Sequence, residues 1–118
     1  MKPFTEIYDF DNQSYITDSA YQEILKLDKM LTAANIPHTL VKMFDGWQVI
    51  YPKDGARRVM DAIEHFGSYG ASVDRVELMG LLTKEELKND TVLGYLTAQD
   101  VFKRIKKHWE ENGGNKKC

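Results

Sequence analysis

This chain of 118 residues has one cysteine, Cys118, at its last position. It cannot close an internal disulfide or assemble a thiolate metal site, and its rarity suits a reducing compartment. Long apolar runs are missing too: none approaches the ~20 residues needed to cross a bilayer. Met1-Lys2-Pro3-Phe4 leads into acidic sequence rather than the apolar core of a signal peptide, so the expected location is the cytoplasm, away from membranes. Internal repeats, low-complexity blocks and Pro- or Ser-rich linkers are also missing. The expectation is one domain over residues 1–118.

Catalytic patterns are equally scarce. The three histidines, His38, His65 and His108, show no metal-ligand spacing, so no metal or other cofactor is expected. Gly67-Ser68-Tyr69-Gly70 lacks both the Lys-Ser/Thr ending of a phosphate loop and the spacing of a dinucleotide fingerprint. Ser68 near His65 has no third group to orient it and reads as a turn residue. Asp61 and Glu64 would point to opposite faces of a strand, and on a helix they read as a solvated edge rather than an acid–base pair. Binding without chemistry is the expectation.

What is present suits a folded chain. An apolar share of 42 %, with two Trp, six Tyr and five Phe, can build a core, and the charged share of 29 % is too evenly mixed in sign for wholesale disorder. The net charge of −2 is unevenly spread. Residues 1–35 hold three cations against six anions, whereas residues 97–118 hold six against three. An anion would go to the C-terminal end. The acidic N-terminal third supports a different reading, an inhibitor whose arm mimics a nucleic acid or docks on another protein.

Periodicity and punctuation then place the elements. Residues 1–16 have no clean period and read as an irregular or short-strand arm. Ser19 with Gln22 forms a capping-box pattern, and Ala20, Ile24, Leu27, Leu31 and Ala34 predict a helix over 19–34, stopped by Asn35-Ile36-Pro37. A strand over 39–44, a turn at Asp45-Gly46 and a return strand over 47–51 predict a hairpin. Residues 58–65 fit a helix or a strand, and the strand is preferred. A fourth strand is expected over 74–79. Thr83 with Glu86 opens a short helix, Leu93-Gly94-Tyr95 interrupts, and Thr97 with Asp100 opens the last helix, running to about Asn112. Residues 113–118 read as a frayed tail. The fold class is α+β, an antiparallel β-meander of about four strands packed with an N-terminal helix and C-terminal helices.

The last helix concentrates the chemistry. Ala98, Val101, Phe102, Ile105 and Trp109 share one face, with Arg104 and His108 stacked along its flank. Lys103 and Lys107 form a parallel, more exposed row. Two tiers of cations beside an aromatic edge suit a phosphate with an attached base; the same pattern also describes a helix whose basic end complements its dipole. Trp109 reads either as a stacking platform or as a core anchor. Arg57, beside Arg58 after Asp54-Gly55, offers a guanidinium for phosphate, and Tyr69 an aromatic face for a base. An acidic sequence with scattered C-terminal cations lacks the basic stripe that extended DNA or RNA requires.

Phe44-Asp45-Gly46-Trp47-Gln48, Gly67-Ser68-Tyr69-Gly70, Glu77 through Thr83, and Gly94-Tyr95-Leu96-Thr97-Ala98 with Val101 and Arg104 resemble, as an ensemble, the first-described Thoeris anti-defence family. These are phage proteins that act as sponges for cyclic ADP-ribose isomers made by bacterial TIR-domain proteins. The resemblance covers about residues 20–110. It implies a homo-oligomer, dimeric or built from dimers, acting in the host cytoplasm and holding its small anionic ligand at protomer interfaces without cleaving it. It also implies cyclic di- and trinucleotides as further ligands. Arg104 sits in the corresponding segment with His108 one turn on, where histidine is a weaker, pH-dependent phosphate contact than arginine.

Overall fold

The computed structural model describes residues 21–114 and the backbone of residues 8–9 and 14–15. In the N-terminal arm, Tyr8–Asp9 (β1) pairs antiparallel with Ser14–Tyr15 (β2). The rest of that arm and residues 115–118 of the expected tail lie outside the described residues.

Helix α1 spans Gln22–Ala33 and buries Ile24, Leu27 and Leu31, a one-sided spacing that contributes roughly 1.5–3 kcal/mol per side chain. Its end is built as the sequence suggests. Asn35 takes a left-handed backbone with φ 58°, its amide donates to the Thr32 carbonyl, and the amide of buried Ile36 donates to that of Leu31. The start differs. Ser19 of the expected capping box is outside the described residues, and Tyr21 at the N-cap makes no side-chain cap.

Five strands, β3 (Thr39–Met43), β4 (Gly46–Tyr51), β5 (Met60–Glu64), β6 (Val76–Met79) and β7 (Val92–Leu96), form an antiparallel sheet in sequence order. The meander is therefore one strand larger than expected, because Leu93-Gly94-Tyr95 lies inside β7 rather than interrupting the chain. Gly94 is a close-approach residue: a Cβ there would stand 2.4 Å from Cβ of Tyr69. The β3–β4 turn is also displaced by one residue, to Phe44–Asp45. Gly46 is already in β4, where a side chain would collide with the backbone of Glu64 and His65. The ambiguous stretch is a strand, β5, although two residues shorter at its start than read.

Helices α2 (Lys84–Leu87) and α3 (Ala98–Glu111) each open on the expected capping box, with Thr83–Glu86 and Thr97–Asp100 bonded reciprocally. Helix α1 lies against β4, β5 and α3, and α3 also meets β7. The core is made by Val49, Tyr51, Met60, Ala62, Val76 and Leu78 from the sheet against Ile24, Leu27, Leu31, Val101 and Ile105 from the helices. Among the described residues no helix is long and apolar enough to cross a membrane.

One carboxyl sits inside this core. Asp61 and Glu64 point to opposite faces of β5, as expected for a strand: Asp61 accepts a hydrogen bond from Gln48, and Glu64 is 0 % exposed, unlike the solvated edge a helix would have given. It lies under the first turn of α1. Glu64 Oε1 accepts from the Ile24 amide at 3.1 Å, and Asp74 Oδ1 accepts from the Gln22 and Glu23 amides at 2.9 and 3.0 Å. These two carboxyls do the work that a local cap would do. Glu64 Oε2 is buried with no donor in reach. Burial first, and then the adjacent Asp74 carboxylate, pushes the Glu64 carboxyl up to about 9.

The folded chain thus keeps a proton that the unfolded chain releases above 4.5. Stability should be greatest on the acid side and fall between pH 4.5 and about 9, by at most about 1.4 kcal/mol per pH unit. Glu64→Gln, which keeps the acceptor for Ile24 and supplies a permanent donor for Asp74, should be the more stable protein at pH 8. Denaturant melts of both proteins at pH 5, 7 and 9 check this; parallel pH profiles would show that Glu64 folds already ionised.

Candidate functional site

Beyond β6 the backbone turns through Gly80 and Leu81, both left-handed at φ 93° and 56°. Gly80 is obligatory, since a Cβ would approach the Val59 carbonyl to 2.5 Å. Leucine at positive φ is costly, of the order of 1–3 kcal/mol. The conformation aims the Leu81 carbonyl at α3, where it accepts from Arg104 Nη1 at 3.0 Å.

Between this turn and α3 lies an open groove of about 440 Å3, lined by Leu81, Leu82, Thr83, Arg104, Lys107, His108 and Glu111. Four of the seven therefore carry charge or an ionisable ring, over a floor of two leucines. Arg104, His108 and Lys107 of the expected site are all present.

Arg104 is not a free cation. Its two terminal nitrogens grip both oxygens of Glu86 at 2.7 and 2.6 Å, a bidentate pair. Arg104 holds the Glu86 carboxyl down at about 2, with the Thr83 amide assisting, and the Arg104 guanidinium is raised in turn chiefly by Glu86. Glu86 thus serves both the N-cap of α2 and the flank of α3. The capping box exposed the first role in the sequence; nothing local signalled the second, which joins residues eighteen positions apart.

His108 has a partner that the sequence did not reveal. The hydroxyl of Tyr51, at the end of β4, lies 2.7 Å from His108 Nδ1, and the two rings meet edge to face at 5.4 Å. Tyr51 is 1 % exposed, and burial raises its phenol. The contact fixes the plane of the His108 ring.

The other expected ligands are elsewhere. Lys103 is exposed one turn before Lys107 and does not line the groove. Trp109 packs against the core, with Gly114 closed over its indole, so it is an anchor and not a stacking platform. Arg57 is exposed on the loop between β4 and β5, at the same end of the sheet as Gly80 but outside the groove lining. Tyr69 follows β5 and contacts Gly94, at the opposite end of β6 from Leu81. Ser68 is a turn residue: its hydroxyl accepts from the His65 amide and donates to the His65 carbonyl.

Among the described residues, no group of three or more His, Cys, Asp and Glu side chains could hold a metal ion. No protein-family model, curated protein or solved structure matches the chain. The groove's chemistry is therefore read from its own side chains.

Those side chains are a guanidinium, an ammonium, an imidazole and the Glu111 carboxylate beside two leucines. Any anion brought to Arg104 would have to compete with Glu86. A double-mutant cycle of Arg104→Ala and Glu86→Ala should give a coupling of about 1–3 kcal/mol at pH 7. Because Glu86 is depressed, that coupling should persist above pH 4.5 and disappear as pH falls towards 2, read from denaturation midpoints.

Proposed function

We propose that this protein captures a small anionic cyclic nucleotide in the groove beside α3 and holds it without turnover, as a sponge of the Thoeris anti-defence kind. One observation carries the reading: Arg104, Lys107 and Tyr51-oriented His108 converge on one groove with a leucine floor. Phosphates meet the donors and a nucleobase or ribose meets Leu81 and Leu82. The family resemblance supplies the ligand class, cyclic ADP-ribose isomers with cyclic oligonucleotides as further candidates, and a homo-oligomer in which a second protomer closes the open side.

Incubation with a cyclic ADP-ribose isomer from a TIR-domain enzyme should raise the melting temperature, and heating the complex should return the ligand chemically intact. Tyr51→Phe keeps the buried ring but frees the imidazole, and should weaken binding about three- to tenfold with little loss of fold. Glu86→Gln, which loosens the internal clasp on Arg104, should tighten binding severalfold. Absence of any thermal shift across cyclic ADP-ribose isomers and cyclic di- and trinucleotides would overturn the reading.

The Tyr51–His108 pair favours a second reading, a hydrolase using an oriented imidazole as acid or base. Recovery of a cleaved nucleotide, lost in His108→Ala, would select it instead.

A further inference from the structure

The opposite end of the sheet is built around exposed aromatic rings. Phe44 in the β3–β4 turn and Phe66 after β5 are each 73 % exposed, and Tyr69 is 54 % exposed. The rings are organised: Phe44 stands edge-on to His65 at 5.1 Å and to Phe66 at 6.2 Å. Such a cluster, left in water, forgoes the burial that elsewhere in this fold drives aromatic packing.

The backbone supplies an independent sign that these rings are held on purpose. Phe44 adopts φ 54°, a left-handed conformation that glycine or asparagine takes at little cost and phenylalanine takes under strain. Phenylalanine at this turn costs stability twice, by strain and by exposure. Neither cost serves packing, since the side chain points out of the fold.

Charge defines the partner. Asp45 accepts from the Tyr21 hydroxyl and the Phe66 amide, and Glu77 accepts from the Tyr69 amide. These donors are neutral, and among the described residues neither carboxylate is paired with a cation. Arg75, the nearby guanidinium, is turned to the carbonyls of Val73 and Asp74. His65 Nδ1 accepts from the Gly67 amide, so the ring is held against the turn. Aromatic faces beside uncompensated carboxylates suit a cation that can also stack, which guanidinium does and ammonium does less well. The same carboxylates repel nucleic acid.

We infer that this end of the sheet, centred on Phe44, Phe66 and Asp45, docks an arginine-bearing segment of a partner protein. It is remote from the α3 groove and independent of what the groove binds.

The test is fluorescence anisotropy of the full chain with a short labelled peptide in which arginine alternates with glycine. Binding should occur with a dissociation constant on the order of 10 μM, severalfold weaker for the lysine version and undetectable for the glutamate version. Phe44→Gly with Phe66→Ser should weaken it at least about tenfold, while the melting temperature stays level or rises because the strain at residue 44 is relieved. Asp45→Asn, which keeps an acceptor for the Phe66 amide, should weaken it about threefold and flatten its salt dependence. Equal binding by the Phe44/Phe66 variant overturns the assignment. So does sedimentation showing that those substitutions dissolve an oligomer, which gives the surface to a second copy, or capture of an oligothymidylate in preference to the peptide.

Discussion

The amides that open α1 are satisfied from outside the helix. Asp74, itself left-handed at φ 56°, takes the amides of Gln22 and Glu23, and buried Glu64 takes that of Ile24. Glu23 then passes the arrangement on, because its Oε2 accepts from the Ala98 amide at the start of α3 at 2.5 Å. A chain of carboxyls thus fixes β5, the β5–β6 connection, α1 and α3 to one another. An apolar residue at 64 could fill the same volume, but it would leave the Ile24 amide buried and unbonded. Burial beside Asp74 favours the protonated form of Glu64, which spares the core a full charge.

From that fixed frame α3 projects its basic flank over the Gly80–Leu81 turn, and the electrostatics of the groove follow from where each cation is directed. Arg104 points inward to Glu86 and the Leu81 carbonyl, His108 inward to Tyr51, and exposed Lys107 carries its charge to solvent. Internal partners hold two of the three donors in one geometry, so less side-chain freedom is lost when a ligand arrives. They also set a threshold. Any anion that engages the Arg104 fork has first to displace the Glu86 carboxylate.

The legible parts of the fold were those governed by short-range rules. The Thr83 and Thr97 capping boxes, the Asn35 stop of α1 and the faces of α3 all follow from residues within one or two turns of each other. Misreadings fall where a residue answers to a distant neighbour. Gly46 and Gly94 look like turn and breaker residues, yet each is glycine because another strand or loop passes too close for a side chain. Glu64 has no local sign of its role because its partner, the open start of α1, lies forty residues away. In the groove, sequence located Arg104, Lys107 and His108 by helical spacing alone. Tyr51 and Glu86 stayed hidden, since pairing across 57 and 18 positions leaves no periodic trace.

The two ends of the sheet carry opposite chemistries, and the strained residues sort with them. Asn35 and Asp74 are types that tolerate a left-handed backbone, and both serve α1. Leu81, Phe44 and Tyr95 do not tolerate it easily: the first shapes the cationic groove, and the other two stand at the aromatic, acidic end. The local backbone calls for the conformation at each: Leu81 follows Gly80 in the turn after β6, Phe44 is the first residue of the two-residue β3–β4 turn, and Tyr95 stands at the register shift between β6 and β7. What they share is placement at a surface where donors or rings gather, with the rigid sheet between them. The sheet holds these two surfaces at a fixed separation, and the buried Glu64 carboxyl ties the first turn of α1 to it.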